Sequence, residues 1–345
     1  MRKSHKIGIV GTGAIALKHA QAIESLANAE LVGLYNPNPA SVIKAQSSFS
    51  VPILSDWDQF VEIPDLDVVC ICTPSGMHLE PALAAIQAGK HVFVEKPIEV
   101  TLDRADQLIK AAERHQVNLG VVFQNRFSPD FIRLKEAIQT GAFGRLLMGN
   151  AAINWFRDAA YYTSSQWKGT LAYDGGGALI NQAIHTLDLL LEAMGEVKSV
   201  FGKVKTTLYP IEGEDLGAVL VNFKSGALGT ITAGTSLYPG YPERLEIYGT
   251  EGSAILEGGK LISWNIRGVQ SSLSATENKI ASGSSDPNAI GFELHAKQWM
   301  DFLQSIEAGN RPEVDGPKSR KSLELIRAIY QSSKEEKLVR FPFEE

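Results

Sequence analysis

The sequence predicts an α/β chain of two domains, a parallel-sheet unit at the N-terminus followed by a unit built largely on antiparallel strands. Three observations predict it. The 345 residues exceed what one hydrophobic core serves, since cores stop growing at roughly 250–300 residues. As far as about Phe123, short apolar runs alternate with stretches of helical periodicity. After that point strand-like runs joined by glycine turns dominate. The division expected is 1–124 and 125–345.

In the first domain the expected strands are Lys6–Val10, Glu30–Tyr35, Val68–Cys72, His91–Glu95 and Asn118–Phe123, with helices at Ile15–Leu26, Ala40–Phe49, Leu79–Ala88 and Leu102–His115. The strands are nearly all apolar rather than alternating, as expected of a sheet covered by helices on both faces. In the second, helices at Pro129–Thr140 and Ala178–Met194 accompany strands at Leu146–Phe156, Val197–Thr207, Gly217–Phe223, Leu228–Thr235, Arg244–Gly249, Ser253–Leu256 and Lys260–Trp264. Turns such as Lys224-Ser225-Gly226 and Glu257-Gly258-Gly259 make the later strands a meander. Gln270–Asn288, rich in Ser, Ala and Gly, is expected to be a mobile loop, and helices at Phe292–Ala308 and Ser319–Ser333 close the chain.

A hydrophobic fraction of 44% with 21% charged residues is that of a globular protein, and no apolar run approaches the roughly 18 residues of a membrane span. The basic start Met1–Lys6 leads into an apolar stretch broken at Gly8, Gly11 and Gly13, which reads as a strand and implies no export, so a soluble cytoplasmic protein is expected. A formal charge of −6 without a basic block argues against nucleic acid, and no membrane partner is expected. Cys70 and Cys72, two apart on one strand, read as buried free thiols. The seven histidines lack metal-ligand spacing, so no metal is expected.

The run Ile7–Ala16 is a strand feeding a Gly-x-Gly-x-x-Ala turn that opens a helix. Gly11 permits the tight turn, Gly13 admits a pyrophosphate to the backbone, and Ala16 lets helix pack closely on sheet. The unpaired N–H groups of Thr12, Gly13, Ala14 and Ile15 then face the anion. This is a Rossmann dinucleotide fingerprint. The next strand ends in Asn36, which can hydrogen-bond a ribose hydroxyl but has no charge to repel a 2′-phosphate, while no Arg follows to grip one. The cofactor expected is therefore NAD(P).

Two further segments stand at strand ends, where ligands bind in open parallel sheets: Thr73-Pro74-Ser75-Gly76-Met77-His78 and Glu95-Lys96-Pro97. With the fingerprint, with Asn125-Arg126-Phe127, and with Gly175 to Asp188 (Gly-Gly-Gly-Ala-Leu-Ile-Asn-Gln-Ala-Ile-His-Thr-Leu-Asp), they make the chain resemble the Gfo/Idh/MocA oxidoreductases over nearly its whole length. The resemblance implies a Rossmann domain, then an α/β domain with a large, mostly antiparallel sheet through which subunits pair as homodimers or homotetramers. It implies cofactor contacts at Thr73, Pro74, His78, Glu95 and Lys96.

It also implies that Lys96 is the active-site base. Oxidation of a secondary alcohol requires the hydroxyl proton to leave with the hydride, and a lysine beside an oxidised nicotinamide has its charged form disfavoured, so it can accept that proton. His185 is the second catalytic candidate, as base or as the donor that orients the hydroxyl; read structurally, it is a helix histidine paired with Asp188 one turn on. Asn181 stands where many members carry Asp, and an amide cannot be a base, so it reads as a substrate ligand. Asn125, Arg126, Arg157, Tyr162, Trp167, Lys168 and His185 complete the expected substrate set, aromatic faces suiting sugar C–H surfaces and the cations a carboxylate or phosphate.

Within the family the stretch is most similar to members that oxidise UDP-N-acetyl-glucosaminuronic acids at C3, though those commonly carry Arg at the place of Lys168 and an acid at that of Asn36. The expected function is thus a nicotinamide-dependent dehydrogenase of a sugar or nucleotide sugar. The rivals are a redox-neutral glycosidase of the same fold that retains its NAD, and a non-catalytic dinucleotide- or sugar-sensing regulator.

Overall fold

The computed structural model describes residues 4–269 and 291–345, so the loop expected at Gln270–Asn288 lies outside the described residues. The chain forms two compact units: Met1–Gln124 with Gly291–Arg320, and Asn125–Ile290 with Lys321–Glu345.

The first unit holds a six-stranded sheet in which every pairing is parallel, in the order β3-β2-β1-β4-β5-β6. Its strands are β1 (His5–Val10), β2 (Ala29–Tyr35), β3 (Ile53–Leu54), β4 (Leu66–Ile71), β5 (His91–Val94) and β6 (Leu119–Val121). Helices α1 (Ala14–Glu24), α2 (Pro39–Ala45), α3 (Trp57–Val61), α4 (Leu79–Gln87) and α5 (Leu102–His115) connect them. Local chemistry sets the helix ends. Thr101 caps α5 by accepting from the Arg104 N–H, and Asn38 caps α2 ahead of Pro39, whose fixed φ suits a first turn.

The second unit contains α6 (Pro129–Gln139), β7 (Leu146–Asn154), α7 (Ala159–Thr163), a π-helical turn at Ala178–Ala183 and α8 (Ile184–Met194). Then come β8 (Val197–Lys205), β9 (Leu216–Phe223), β10 (Leu228–Gly234), β11 (Arg244–Gly249), β12 (Gly252–Glu257) and β13 (Lys260–Ile266). The eight-stranded sheet runs β13-β12-β11-β7-β10-β9-β8-β14, its last strand being β14 (Val339–Arg340). Its pairings are antiparallel except one: β7 lies between β11 and β10 and runs parallel to β10. A plain meander is therefore corrected. A parallel pair needs a crossover, and the long helical excursion from residue 155 to 196 supplies the first part of it. The helix expected over Ala178–Met194 is likewise two windings, π then α.

The tail of the chain also departs from expectation. Helix α9 (Glu293–Ala308) belongs to the first unit, because Trp299, Phe302 and Leu303 are wholly buried in one cluster with Ile7, Ile9, Ala16, Ile23, Cys70 and Phe93. Phe93 stacks on Phe302 at 4.9 Å between centroids and lies 4.4 Å from Trp299. The last helix, α10 (Gly316–Glu335), begins in the first unit and continues in the second. Removing the buried Phe302 ring leaves a cavity, so Phe302→Ala is expected to destabilise the first unit by about 3–5 kcal/mol in urea unfolding followed by fluorescence.

Candidate functional site

The glycine turn is built on a backbone approach. Gly11 has φ +101°, and a Cβ there would lie 2.6 Å from the Cys72 carbonyl oxygen, so only glycine fits. Gly13 is different: it is exposed, and a Cβ there would meet no atom of the described residues within 4 Å, so it faces open space. It precedes α1, whose N-terminus has no side-chain cap, so the first N–H groups of the helix have no side-chain acceptor and suit an anion. Ala16 is fully buried against the sheet. Asn36 donates from Nδ2 to Thr12 Oγ1 at 2.8 Å and accepts from the Asn38 N–H at 3.0 Å, which sets its amide beside the turn. These features fit a bound dinucleotide.

On the same carboxyl edge of the sheet, the segment after β4 is tied to the segment after β5. His78 is buried, with Nδ1 2.9 Å from the Pro97 carbonyl and Nε2 3.1 Å from the Thr73 carbonyl. Burial lowers its pKa, so the ring is neutral and its single proton serves one of the two carbonyls at a time. Thr73 Oγ1 donates to the Met77 carbonyl at 3.0 Å. Glu99, wholly buried, accepts from the N–H groups of Leu79 and Val100 and pairs with Arg104 at 3.0 Å, while Arg104 also holds the Gly76 carbonyl. Thr73 and Pro74 stay partly exposed, but His78 points into the protein and braces Lys96-Pro97.

Glu95, expected among the cofactor contacts, is also turned inward. Its carboxylate lies at hydrogen-bond distance from His19 Nε2, 2.8 Å, and its other oxygen accepts the Lys96 N–H at 3.1 Å. Burial alone would raise its pKa; the His19 hydrogen bond, with the nearby His295 and Lys96, holds it down at about 2. Lys96 itself is half-buried. Among the described residues two groups of possible metal ligands occur, His19 with Cys70 and Cys72, and His19 with Glu95 and His295. Both depend on His19, whose ring nitrogens are already engaged by Glu95 and by the Trp299 indole.

In the second unit the triple glycine has a packing role. A Cβ on Gly177 would sit 1.9 Å from the Glu214 carbonyl oxygen, and one on Gly213 would strike the Gly176 backbone, so the two segments pass backbone to backbone. The buried Glu214 carboxylate accepts from the N–H groups of Gly177 and Leu179 and from Tyr330, anchoring the start of the π turn; burial pushes its pKa up to about 7. That turn presents Asn181, whose Nδ2 donates to Asp174 Oδ1 at 2.5 Å, and leads to the half-buried His185.

The cations expected at the substrate are placed differently. Arg126 is buried in a two-pronged pair with Asp188 at 2.6 and 2.7 Å, with Glu192 on its third nitrogen. Ser322 donates to the same Asp188 at 2.9 Å. Arg157 and Lys168 gather around one ring: the guanidinium lies 5.4 Å from the Tyr161 centroid and 4.9 Å from Trp155, and Lys168 Nζ lies 3.9 Å from Tyr161. Burial lowers the Lys168 pKa, Asp174 opposes that, and Arg157 adds to it. Tyr162 is buried with its hydroxyl on Thr235 at 2.7 Å, whereas Asn125 and Trp167 remain partly exposed.

His19 and Trp299 were not foreseen. A signal existed, since His19 falls on the i, i+3, i+4, i+7 stripe of Ala16, Ala20 and Ile23, a polar residue on a core-facing line.

A parallel sheet with a glycine turn, an uncapped helix start and a lysine on one carboxyl edge defines a dinucleotide-binding oxidoreductase domain. Residues 5–123 match the model of the oxidoreductase family with an NAD-binding Rossmann fold, and residues 131–255 match the GFO/IDH/MocA C-terminal domain. The chain belongs to the Gfo/Idh/MocA oxidoreductase family. It is similar over its full length to the WlbA dehydrogenase of Chromobacterium violaceum, solved with NADH and UDP-GlcNAcA, at 32% identity and TM-score 0.87, covering 100% of this chain and 98% of that one. The WlbA dehydrogenase of Bordetella pertussis, solved with the same two ligands, is 29% identical with TM-score 0.87, covering 99% and 100%. The myo-inositol 2-dehydrogenase of Thermotoga maritima is 26% identical over 97% of this chain and 98% of its own.

Since a side chain at Gly13 would point into open space, Gly13→Val is expected to fold normally yet lose NADH binding in calorimetric titration, the branched side chain occupying the space of the pyrophosphate.

Proposed function

We propose that this chain is an NAD-dependent dehydrogenase of a secondary hydroxyl on a nucleotide sugar, with a UDP-linked uronate as substrate. The observation that carries the reading is the glycine turn at the end of β1 with Lys96 just past β5, two strands along the same parallel sheet. The N–H groups from Thr12 to Ile15 would hold the pyrophosphate, Asn36 the adenosine ribose, and Thr73 and Pro74 would flank the path to the nicotinamide. No cation occurs from Asn36 to Ala40 to hold a 2′-phosphate, which favours NAD. When bound, the cofactor supplies the hydride acceptor. Lys96 takes the hydroxyl proton, and in the reverse direction its ammonium returns it. His185 orients the reacting hydroxyl and Asn181 binds the sugar.

The substrate class is supported by Arg157 and Lys168. Two cations share one aromatic cluster near the Asp174 carboxylate, and a guanidinium beside an ammonium suits a uronate or a diphosphate. Both WlbA structures hold such a ligand. The enzyme acts in the cytoplasm, and among the described residues no helix is long and apolar enough to cross a membrane.

A second copy of the chain would cover the open face of the large sheet, as a homodimer or homotetramer. Phe201 of β8 stands opposite Leu220 of β9, and Met148 of β7 opposite Leu228 of β10, all exposed, while the alternate Val219, Val221 and Phe223 are buried. An apolar sheet face of this kind favours burial against a partner.

The test is a spectrophotometric panel of UDP-sugars, uronates, inositols and free hexoses against NAD and NADP. The expected result is NADH formation with a UDP-uronate; turnover of a glycoside with no change at the nicotinamide band would overturn the reading. Lys96→Ala is expected to lower turnover by about 10²–10⁴-fold, the usual contribution of a general base, with NADH affinity within a few-fold.

A further inference from the structure

Beneath Lys96 the first unit contains a chain of buried polar groups that the reaction as described does not use. The Trp299 indole donates from Nε1 to His19 Nδ1 at 2.9 Å, and the opposite nitrogen of His19 faces Glu95 at 2.8 Å. An indole can only donate, so Nδ1 of His19 must be bare. Cys70 and Glu95 outweigh burial and push the His19 pKa up to about 10, yet the indole opposes the cation, because a second ring proton would point at another N–H only 2.9 Å away, and this contact decides the matter. The ring is therefore the neutral Nε2–H tautomer and donates to Glu95. Charge is then unbalanced: a neutral histidine leaves the carboxylate with its full negative charge, and the next residue along the backbone is Lys96.

We propose that Trp299 and His19 are positioning residues for the reaction, which hold Glu95 as a fixed, uncompensated carboxylate under Lys96 and thereby keep the amine in its working range. The reason is electrostatic. Partial burial and an oxidised nicotinamide both act against the ammonium, and together they would leave Lys96 too weak a base. A fixed anion opposes them. Because Glu95 also accepts the Lys96 N–H, the same contact fixes the backbone from which the amine extends. Other groups facing this cluster are Cys70 and Cys72 from the β4 end, Lys18 from α1, His78 from the following loop, and His295 from α9. Of these, His78 and His295 are kept neutral by burial, the latter with its pKa lowered to about 4, Lys18 acts on His295 rather than on Glu95, and Cys70, pulled down by Cys72 and His19, adds no cation, so none of them offsets Glu95 near neutral pH.

The inference rests on Lys96 as the proton acceptor, but it is tested on the chain alone, without substrate or turnover. Competitive acylation of amines across a pH series, read by peptide mass spectrometry, gives the titration midpoint of Lys96. Glu95→Gln removes the anion, and the midpoint is expected to fall by about one unit or more, as on loss of a nearby opposite charge. Trp299→Phe frees His19 Nδ1 to take a second proton, the resulting imidazolium offsets Glu95, and the midpoint falls in the same direction. His19→Gln keeps an amide donor for Glu95 with no added charge and leaves the midpoint in place. In nitrogen-15 spectra at pH 7, His19 shows one bare and one protonated ring nitrogen in the parent chain and two protonated nitrogens in Trp299→Phe.

A doubly protonated His19 in the parent, or a Lys96 midpoint unmoved by Glu95→Gln, overturns the proposal. Should Trp299→Phe fail to fold, the contrast between Glu95→Gln and His19→Gln decides it, since loss of structure alone would not separate them. A fully active Lys96→Ala enzyme would overturn the function of Lys96 and leave the titration result standing.

Discussion

The first unit depends on a place where backbone must touch backbone. At the end of β1 the Gly11 N–H reaches the Tyr35 carbonyl at 2.8 Å, while the Cys72 N–H reaches the Val10 carbonyl at 2.8 Å, so the turn is fastened to both neighbouring strands before α1 begins. The missing Cβ of Gly11 makes room for the Cys72 carbonyl. Any side chain there would push the turn off the sheet, and the start of α1 would no longer face the carboxyl edge where Lys96 emerges. The second unit uses the same device at Gly177 and Gly213, where backbone passes backbone so that the Glu214 carboxylate can hold the π turn carrying Asn181. In both units, then, the position of a candidate functional segment is set by a contact that the sequence marks with glycine.

That marking explains which parts were legible. Parallel strands buried on both faces leave uninterrupted apolar runs, and α5 is bounded by Thr101 and a left-handed Gln116, so these elements could be read from local pattern. Strand β3 has two residues and helices α3 and α7 have five each, too few to show a period. The insertion of β7 beside β10 and the return of α9 to the first unit depend on pairings between residues far apart in the chain, which no local window contains.

The candidate site divides along the same line. The glycine turn is recognisable because its role follows from local geometry, and Lys96 because it stands in a motif whose role the family resemblance implies. A motif shows which residue types recur together, but not whether a side chain faces a ligand or the interior. His78, Glu95 and Arg126 all lie within motif segments, and all three prove to be buried and engaged with other protein groups: a pair of carbonyls, a histidine 76 residues earlier, and an aspartate 62 residues later. The supporting half of each motif was hidden because the partner that defines its role is remote.

The buried charges show how that support is distributed. Arg126 is paired with Asp188 and Glu192, and Glu99 with Arg104; each of these buried charges has an opposite charge in contact, and such pairs can often be exchanged for packed hydrophobic groups without loss of stability. Glu95 is not of that kind. Its immediate partner is a histidine that the indole of Trp299 keeps neutral, so the desolvation cost of its burial is met by hydrogen bonds from His19 and the Lys96 N–H and by the nearby Lys96 rather than by a cation in the triad. The aromatic packing of Phe93, Trp299 and Phe302 around the triad supplies apolar burial that can sustain such a cost, and it also excludes the water that would screen the charge. Stability in this part of the fold is therefore drawn from the aromatic core, while the carboxylate it encloses acts on the residue that follows it.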